Sequence, residues 1–486
     1  MKLTFIEEPE LEFGTGRHID IRFGIVRHNP FDVNESQRPE RIEIGVVGTH
    51  QSIGGVTDWF ERLADEVPAK ESRKPNLFCR FPGFSANSPF RSSLIFDPAL
   101  TVSVGHKELF SLSAERDYNK RMSLAADLFA AKIGLMAEKN VRVVVCAMPS
   151  ELIDVLADGA EEEGDEDDDE PHHSVSRPGQ FAFHDLLKAK CMKFGKPIQV
   201  IRPSTYDANQ KSREKDAHGK ARRLQDEATR AWNLTTALYY KAGGIPWRKP
   251  RTEPEYKTCF IGISFYHALD RKSVQTSLAQ VFDERGYGFM VRGAEVKLSK
   301  DDRQPHLTSA AIHQLVQESL KRYRTDHGHY PARVVVHKTS KFNRDEIDGA
   351  MKALDEVDVE VRDLMSLSNG MIRLFRHGYY SPLRGTVLET DATQDFIHSR
   401  GSVFFYEEYP GMYVPRTLHV RYDSTMSSKP DLRRELLLLT KMNWNNTQLD
   451  SSMPITVRAA RQVGTILRYV DAGEASVVQH PYRFYM

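Results

Sequence analysis

His184 and Lys188 stand four residues apart, about one helical turn, so their side chains share one face of the helix they predict. Gln199 follows just beyond, in PIQVIRP (197–203), a stretch with the character of a strand. Lys190, Lys193 and Lys196 make the same region strongly basic. Asn233 and Lys241 lie eight residues apart on the next helical segment, again close to one face. Two helices placed side by side would point Lys, Lys, His, Asn and Gln into one pocket. That set is rich in donors and holds no acid to neutralise it. It suits a terminal phosphate, because charge-assisted hydrogen bonds are the strong kind, each worth roughly 1.5–3 kcal/mol. The competing interpretation is a pair of helices with solvated lysines, and spacing alone does not choose between the two.

The elements that must position these residues alternate. RPERIEIGVVGTH (38–50) reads as a strand running into a Gly-containing turn, and DWFERLADEV (58–67) as a helix. KRMSLAADLFAAKIGLMAEKN (120–140) is a long amphipathic helix, and VRVVVCAMP (141–149) is a continuous apolar run of the sort that fills a buried parallel strand. FAFHDLLKAKCMKFG (181–195) predicts a helix ending in Gly, and ARRLQDEATRAWNLTTALYYKAGG (221–244) a longer one stopped by two glycines. A joint rich in Pro and charge, GIPWRKPRTEPE (244–255), separates this unit from a second. The second unit's strands are KTCFIGISFY (257–266), YGFMVRG (287–293), ARVVVHK (332–338), VEVRDLM (359–365), SVFFYEEY (402–409) and RTLHVRYD (416–423). Helices over 307–324, 343–355, 430–441 and 455–470 fill the gaps. The expectation is α/β throughout, with an N-terminal unit over 1–250 and a C-terminal unit over 251–486.

Bulk properties exclude several classes. Lys and Arg number 67, matched by 67 Asp and Glu, so any basic groove must be local. Part of the balance is one block: nine of the ten residues 161–170 are Asp or Glu. Such a run repels itself, so a solvated loop over about 159–175 is expected. His172 and His173 follow it but lack the further partners a metal site needs. The four cysteines, Cys79, Cys146, Cys191 and Cys259, are too far apart in sequence for a zinc knuckle or redox pair, and point to a reduced, cytoplasmic protein without disulfides. No apolar run approaches the ~18 residues of a membrane span. GTHQSIGG (48–55) fits neither a phosphate-binding P-loop nor a dinucleotide fingerprint, which argues against a nucleotide-binding enzyme.

HDLLKAKCMKFGKPIQVI followed by WNLTTALYYKAGG resembles the MID domain of Argonautes. The 5′-phosphate pocket of that family has an aromatic or His residue, a Lys four residues on, a Gln in the following strand, and an Asn and a Lys before a Gly-Gly. The matching positions are His184, Lys188, Gln199, Asn233 and Lys241; Ala237 stands where eukaryotic members have a further Lys. CFIGISFY, PARVVVHKTSKFNRDEIDGAM, RGTVLETD and LLLLTKMNWNNTQLDSSMPITVRAARQVGTIL resemble a PIWI domain, an RNase H-like fold. The resemblance is to the short prokaryotic class: a Rossmann-like MID domain followed by PIWI, with no PAZ domain.

Nucleases of that fold hold two metal ions with several carboxylates. By the resemblance, an Asp belongs at Ser264 and at Lys338 and an Asp or His at Arg461, and this sequence has none of them there. Glu295 matches the family's mobile Glu, and one carboxylate does not hold two metals. The resemblance therefore implies an inactive chain, the alternative being an active guide-dependent nuclease. It also implies a structural Mg²⁺ at the guide phosphate, shared by Gln199 and the carboxylate of Met486. Further implied are a 5′-phosphorylated guide RNA, a complementary single-stranded DNA target, and a heterodimeric partner. That partner carries an APAZ region with a TIR or sirtuin-like NADase or a nuclease as effector, in antiviral and plasmid defence. Basic residues around 208–223 (NQKSREKDAHGKARR) are candidates for the guide backbone, though a solvated helix start explains the same run.

Overall fold

The computed structural model describes residues 1–486 except 75, 158–179, 208–224, 252–256, 270–272, 283–287, 292, 294, 297, 299–302, 379–380, 407–408, 410–413, 450 and 471–480. The acidic block and the basic run at 208–223 lie outside the described residues. Two sheets organise the rest. The first strand, β1 (Lys2–Phe5), does not join the N-terminal sheet. It forms an edge of the large C-terminal one, so the unit expected over 1–250 gives its opening residues to the other half.

The smaller sheet is wholly parallel among the described residues. Strands β2 (Arg41–Gly48), β3 (Val143–Ala147) and β4 (Ile198–Ile201) lie side by side. The short strands Ser93–Ile95 and Thr101–Ser103 pair with the other edge of β2. Every residue of β3 is buried, as its unbroken apolar run requires. Helices α1 (Tyr118–Ala137), α2 (Phe183–Cys191) and α3 (Glu227–Lys241) are among those that accompany these strands. Asp117 caps α1 and Asp226 caps α3, each accepting a backbone N–H from the first turn. A 3₁₀ turn follows α2 and ends at Gly195, whose φ of 63° lies in the left-handed region that Gly tolerates.

The larger sheet has ten strands among the described residues. Its centre is β5 (Thr258–His267), with β6 (Val274–Phe282) antiparallel on one side and β7 (Arg333–Lys338) parallel on the other. β8 (Val361–Asn369) continues it beyond β7. Strands β9 (Thr386–Glu389), β10 (Gln394–Ile397) and β11 (Leu418–Thr425) then connect β8 to β1, in the spatial order β8, β11, β10, β9, β1. Helices α4 (Arg344–Asp355), α5 (Lys429–Leu439) and α6 (Ile455–Leu467) belong to this half. α6 lies on β5 at Gly262, where an added Cβ would come within 2.2 Å of the Thr456 carbonyl oxygen. Only Gly allows that approach.

Two expectations fail. SVFFYEEY is not a strand: Ser402–Tyr406 is a bridge and a turn, with Val403 and Tyr406 packed against Leu449. The aromatic residues that suggest a strand serve a satellite cluster instead, and the Tyr406 hydroxyl donates to Asp20. GTHQSIGG is not a turn: Thr49 caps a helix that runs from His50 to Arg62 through both glycines. All four cysteines are buried and unbridged, as expected. Among the described residues no helix is long and apolar enough to cross a membrane.

Candidate functional site: a buried two-lysine pocket and a carboxylate-poor strand end

Three of the five pocket residues converge. Lys188 projects from the middle of α2 and Lys241 from the last turn of α3, and both are almost fully buried. Gln199 lies in β4 between them. The Lys241 ammonium donates to the Gln199 side-chain oxygen and, at 3.0 Å, to the Ile198 carbonyl. The Lys188 ammonium donates to the main-chain oxygen of Met486 and, at 3.2 Å, to that of Tyr485. The acceptors that these bonds supply are the Gln199 amide oxygen, the Ile198 and Tyr485 carbonyls and the main-chain oxygen of Met486. Asp185, beside Lys188 on the same helix, acts on it electrostatically.

Enclosure destabilises the charge on both ammonium groups. Burial pushes Lys188 down to about 7, with Asp185 opposing. Burial also holds Lys241 well below its ordinary value, and the Lys188 charge adds to the shift. An entering anion would relieve both penalties at once.

His184 sits one turn before Lys188, half-buried, with Nδ1 3.0 Å from the Asp185 carboxylate. Asn233 is not brought into the cluster. Its side-chain oxygen accepts from the backbone N–H of Thr447 at 2.9 Å and from the Thr447 hydroxyl at 3.0 Å, and its nitrogen donates to Gln225. Asn233 therefore ties α3 to the loop before α6. Met486 is 2 % exposed and lies against Lys188. Of the two oxygen donors the resemblance assigns to Mg²⁺, Gln199 accepts from Lys241 and Met486 from Lys188. Among the described residues no group of three or more His, Cys, Asp or Glu is placed to hold a metal. One participant escaped the sequence reading. Gln462 of α6 donates to the Tyr485 carbonyl at 3.1 Å, the same oxygen that accepts from Lys188, and no motif marks it.

The second candidate region is the adjacent strand ends of β5 and β7. Lys338 pairs with Ile263 in register, so Ser264 lies one residue beyond it. The Thr339 hydroxyl is 3.4 Å from that of Ser264. Lys338 is fully buried, with its ammonium 2.6 and 2.7 Å from the two carboxylate oxygens of Glu346 and 3.0 Å from the Lys341 carbonyl. The rings of Phe265 and Phe342 lie 5.6 and 5.1 Å away. Glu346 also accepts the backbone N–H groups of Leu307 and Asn343. His337, before Lys338, meets the Thr456 hydroxyl at 2.8 Å, and burial pushes it down to about 4, so it is neutral.

Arg461 stands on the exposed face of α6, five residues past Thr456. Glu295 is exposed in the short strand Glu295–Val296, opposite Gln275 of β6, which in turn lies opposite Tyr266. A carboxylate the sequence reading passed over, Asp423 of β11, accepts from Ser366, the residue paired with Lys338 in β8. Burial raises its pKa, while Arg421 and Lys338 oppose the rise. Its signal was hidden inside an ordinary alternating strand.

The Piwi domain pattern matches residues 176–472, more than half of the chain, and the chain belongs to that family. No curated protein matches the sequence. Among solved structures, the chain is similar to Clostridium butyricum Argonaute bound to a guide DNA and a 19-mer target DNA, at 14% identity and a TM-score of 0.64. That likeness covers 100% of this chain and 55% of the other. It is also similar to Aa-Ago with externally bound siRNA (12% identity, TM-score 0.58, covering 100% and 56%). Drosophila Piwi follows at 11% identity and a TM-score of 0.56, with the same coverage of 100% and 56%. At these identities the likeness is one of fold: mixed α/β, Argonaute-like. The chain spans about half the length of each of these proteins.

Proposed function

We propose that the chain is the guide-holding subunit of a short prokaryotic Argonaute, a MID domain followed by PIWI without PAZ. It binds a 5′-phosphorylated guide RNA and recognises complementary single-stranded DNA. The observation that carries this is the buried pair Lys188 and Lys241, brought together in a chain of the Piwi family. A phosphate dianion supplies the charge that pair lacks, and takes over the hydrogen bonds now made to Met486, Tyr485 and Gln199. His184, one turn away, would stack on the first base.

The chain itself does not cut. Two-metal cleavage needs several carboxylates around an open, hard-ligand site. Where the family places them stand Ser264, Lys338 and Arg461, and Lys338 spends its charge on Glu346 inside the protein. Glu295 and Asp423 add one exposed and one buried carboxylate at separate edges of this region. A Mg²⁺ at the guide phosphate would be held by Gln199 and the Met486 carboxylate, and would bridge the phosphate to the chain. Pairing with the target activates an APAZ-containing effector partner, an NADase of TIR or sirtuin-like type or a nuclease, in cytoplasmic defence against viruses and plasmids. Base pairing supplies the sequence specificity while the protein senses backbone and shape, as in other guided systems.

Protein purified from cells is expected to carry short 5′-phosphorylated RNA, and the double variant Lys188→Ala with Lys241→Ala to lose it. Equal RNA content in the two would overturn the assignment. Chain, guide, Mg²⁺ and complementary DNA together are expected to leave the target intact, and cleavage opposite the middle of the guide would restore the nuclease alternative.

A further inference from the structure

Helix α1 is apolar on two faces. Its inner face, with Met122, Ala125, Phe129, Ile133 and Met136, is buried in the N-terminal half. Its outer face carries Leu124, Leu128, Ala131 and Leu135. Leu124 is 42% exposed and Leu135 55%, Ala131 is exposed and Leu128 is half-buried. A helix that is apolar all round is normally enclosed all round. Among the described residues the outer face of α1 stays open.

The spacing shows what would enclose it. Steps of four, three and four residues set the four side chains in a row at the 3.5-residue repeat of a two-helix seam. The row covers roughly 16 Å along the axis. It is also its own complement. With a second α1 laid antiparallel, and the two-fold axis passing between Phe129 and Ala130, Leu124 of one copy shares a layer with Leu135 of the other. Leu128 then shares a layer with Ala131, and the short Ala131 leaves the space that the longer Leu128 fills, twice by symmetry. Parallel pairing would oppose Ala131 to Ala131 and open a void.

The rims of the row fit the same occupant. On one side Asp127 pairs with Lys190 of α2 at 2.6 Å, and on the other Lys132 pairs with Glu108 at 3.1 Å. A two-fold, antiparallel copy brings each rim against its own duplicate. Each rim is an ion pair without net charge, so no like-charge repulsion opposes the approach. A strongly acidic or basic partner finds no complementary charge there.

We propose that α1 is a self-association surface, through which two copies of this chain pair as an antiparallel, two-fold helix pair seated on Leu124, Leu128, Ala131 and Leu135. Four such layers make an interface at the small end of the range for specific association, so the dimer separates on dilution. The proposal stands whether or not the Lys188–Lys241 pocket takes a phosphate.

Sedimentation velocity of the full chain, freed of bound nucleic acid, is expected to show monomer and dimer exchanging over a dilution series. Leu124→Glu with Leu135→Glu is expected to leave monomer only, because carboxylates then face each other in both outer layers. Both positions are already open to water, so the urea midpoint of that variant is expected to match the wild type. Disulfide trapping reads the orientation and does not depend on the Glu variant folding. Leu124→Cys and Leu135→Cys chains, mixed and treated with a mild oxidant, are expected to cross-link to each other, while each alone does not. Like positions lie roughly 16 Å apart in the antiparallel pair, beyond the ~7 Å that a disulfide spans. The four native cysteines are buried and do not compete. A wild-type chain that stays monomeric throughout the series overturns the proposal and leaves the stripe to a different protein. A dimer that survives the double Glu substitution overturns it as well, as do cross-links in the single-variant samples without one in the mixture.

Discussion

Replacing Lys338 with Met removes the fully buried cation that pairs with Glu346. The two side chains are each 0% exposed, so the carboxylate left behind cannot be rescued by water. Breaking one partner of a buried pair typically costs about 3–5 kcal/mol. Here Glu346 keeps the backbone N–H groups of Leu307 at 2.7 Å and Asn343 at 3.0 Å, and His306 at 3.3 Å. Those donors offset part of the loss, so the low end, ~3 kcal/mol, is expected. The double variant Lys338→Met with Glu346→Gln removes both charges at similar volume. It is expected to recover most of the stability, leaving a cost below ~1.5 kcal/mol, because a neutral amide still accepts the two N–H groups. Urea unfolding of the wild type, both single variants and the double variant closes a double-mutant cycle. A coupling energy below ~0.5 kcal/mol would refute the claim that the cation is consumed inside the protein, and with it the physical reason this strand end holds no metal.

Three further outcomes are expected. Gly262→Ala drives a methyl to within 2.2 Å of the Thr456 carbonyl, so α6 must lift from β5; a loss of roughly 3 kcal/mol or more in urea unfolding is expected, and a neutral substitution would contradict the packing. Asn233→Ala breaks two bonds to Thr447 and is expected to cost ~1–2 kcal/mol in stability while leaving the preference for a 5′-phosphate over a 5′-hydroxyl intact; loss of that preference without loss of stability would return Asn233 to the pocket. His398 is fully buried, neither ring nitrogen has a hydrogen-bond partner among the described residues, and burial pushes it down to about 4. The unfolded chain protonates it near 6.5 and the folded chain does not, so its contribution is complete above about 6.5 and is lost as the pH falls toward 4. At ~1.4 kcal/mol per pH unit, His398→Leu is expected to flatten acid destabilisation between pH 6.5 and 4 by up to roughly 3 kcal/mol, and an unchanged pH profile would contradict this.

The parts of the pocket that local periodicity controls were legible. His184 and Lys188 are one turn apart on one helix, Gln199 follows in the next strand, and Gly195 closes the helix between them. Asn233 fails because eight residues bring a side chain near the same face but ~12 Å along the axis. What it touches is then decided by the neighbouring loop, which no helical wheel contains. Lys338 was legible as a strand end because β7 is an apolar run with a sharp limit, whereas Ser264 lies inside β5, three residues before its end. Their being neighbours depends on a parallel pairing across about 70 residues, which the family resemblance supplied and periodicity did not. β1 was illegible for a related reason: four residues that pair with β9, more than 380 positions away, carry no local signature. Glycines misled at 48–55, where Thr49 and Ser52 form a capping box strong enough to carry a helix across Gly54 and Gly55.

The most direct measurement is the affinity of the purified chain, freed of bound nucleic acid, for one oligonucleotide carrying either a 5′-phosphate or a 5′-hydroxyl. Two buried ammonium groups on adjoining elements should favour the phosphate by at least ~tenfold, about one charge-assisted bond. Lys188→Ala with Lys241→Ala should erase the difference while leaving the hydroxyl form's affinity in place. Equal binding of the two ends by the wild-type chain would contradict the account at its root.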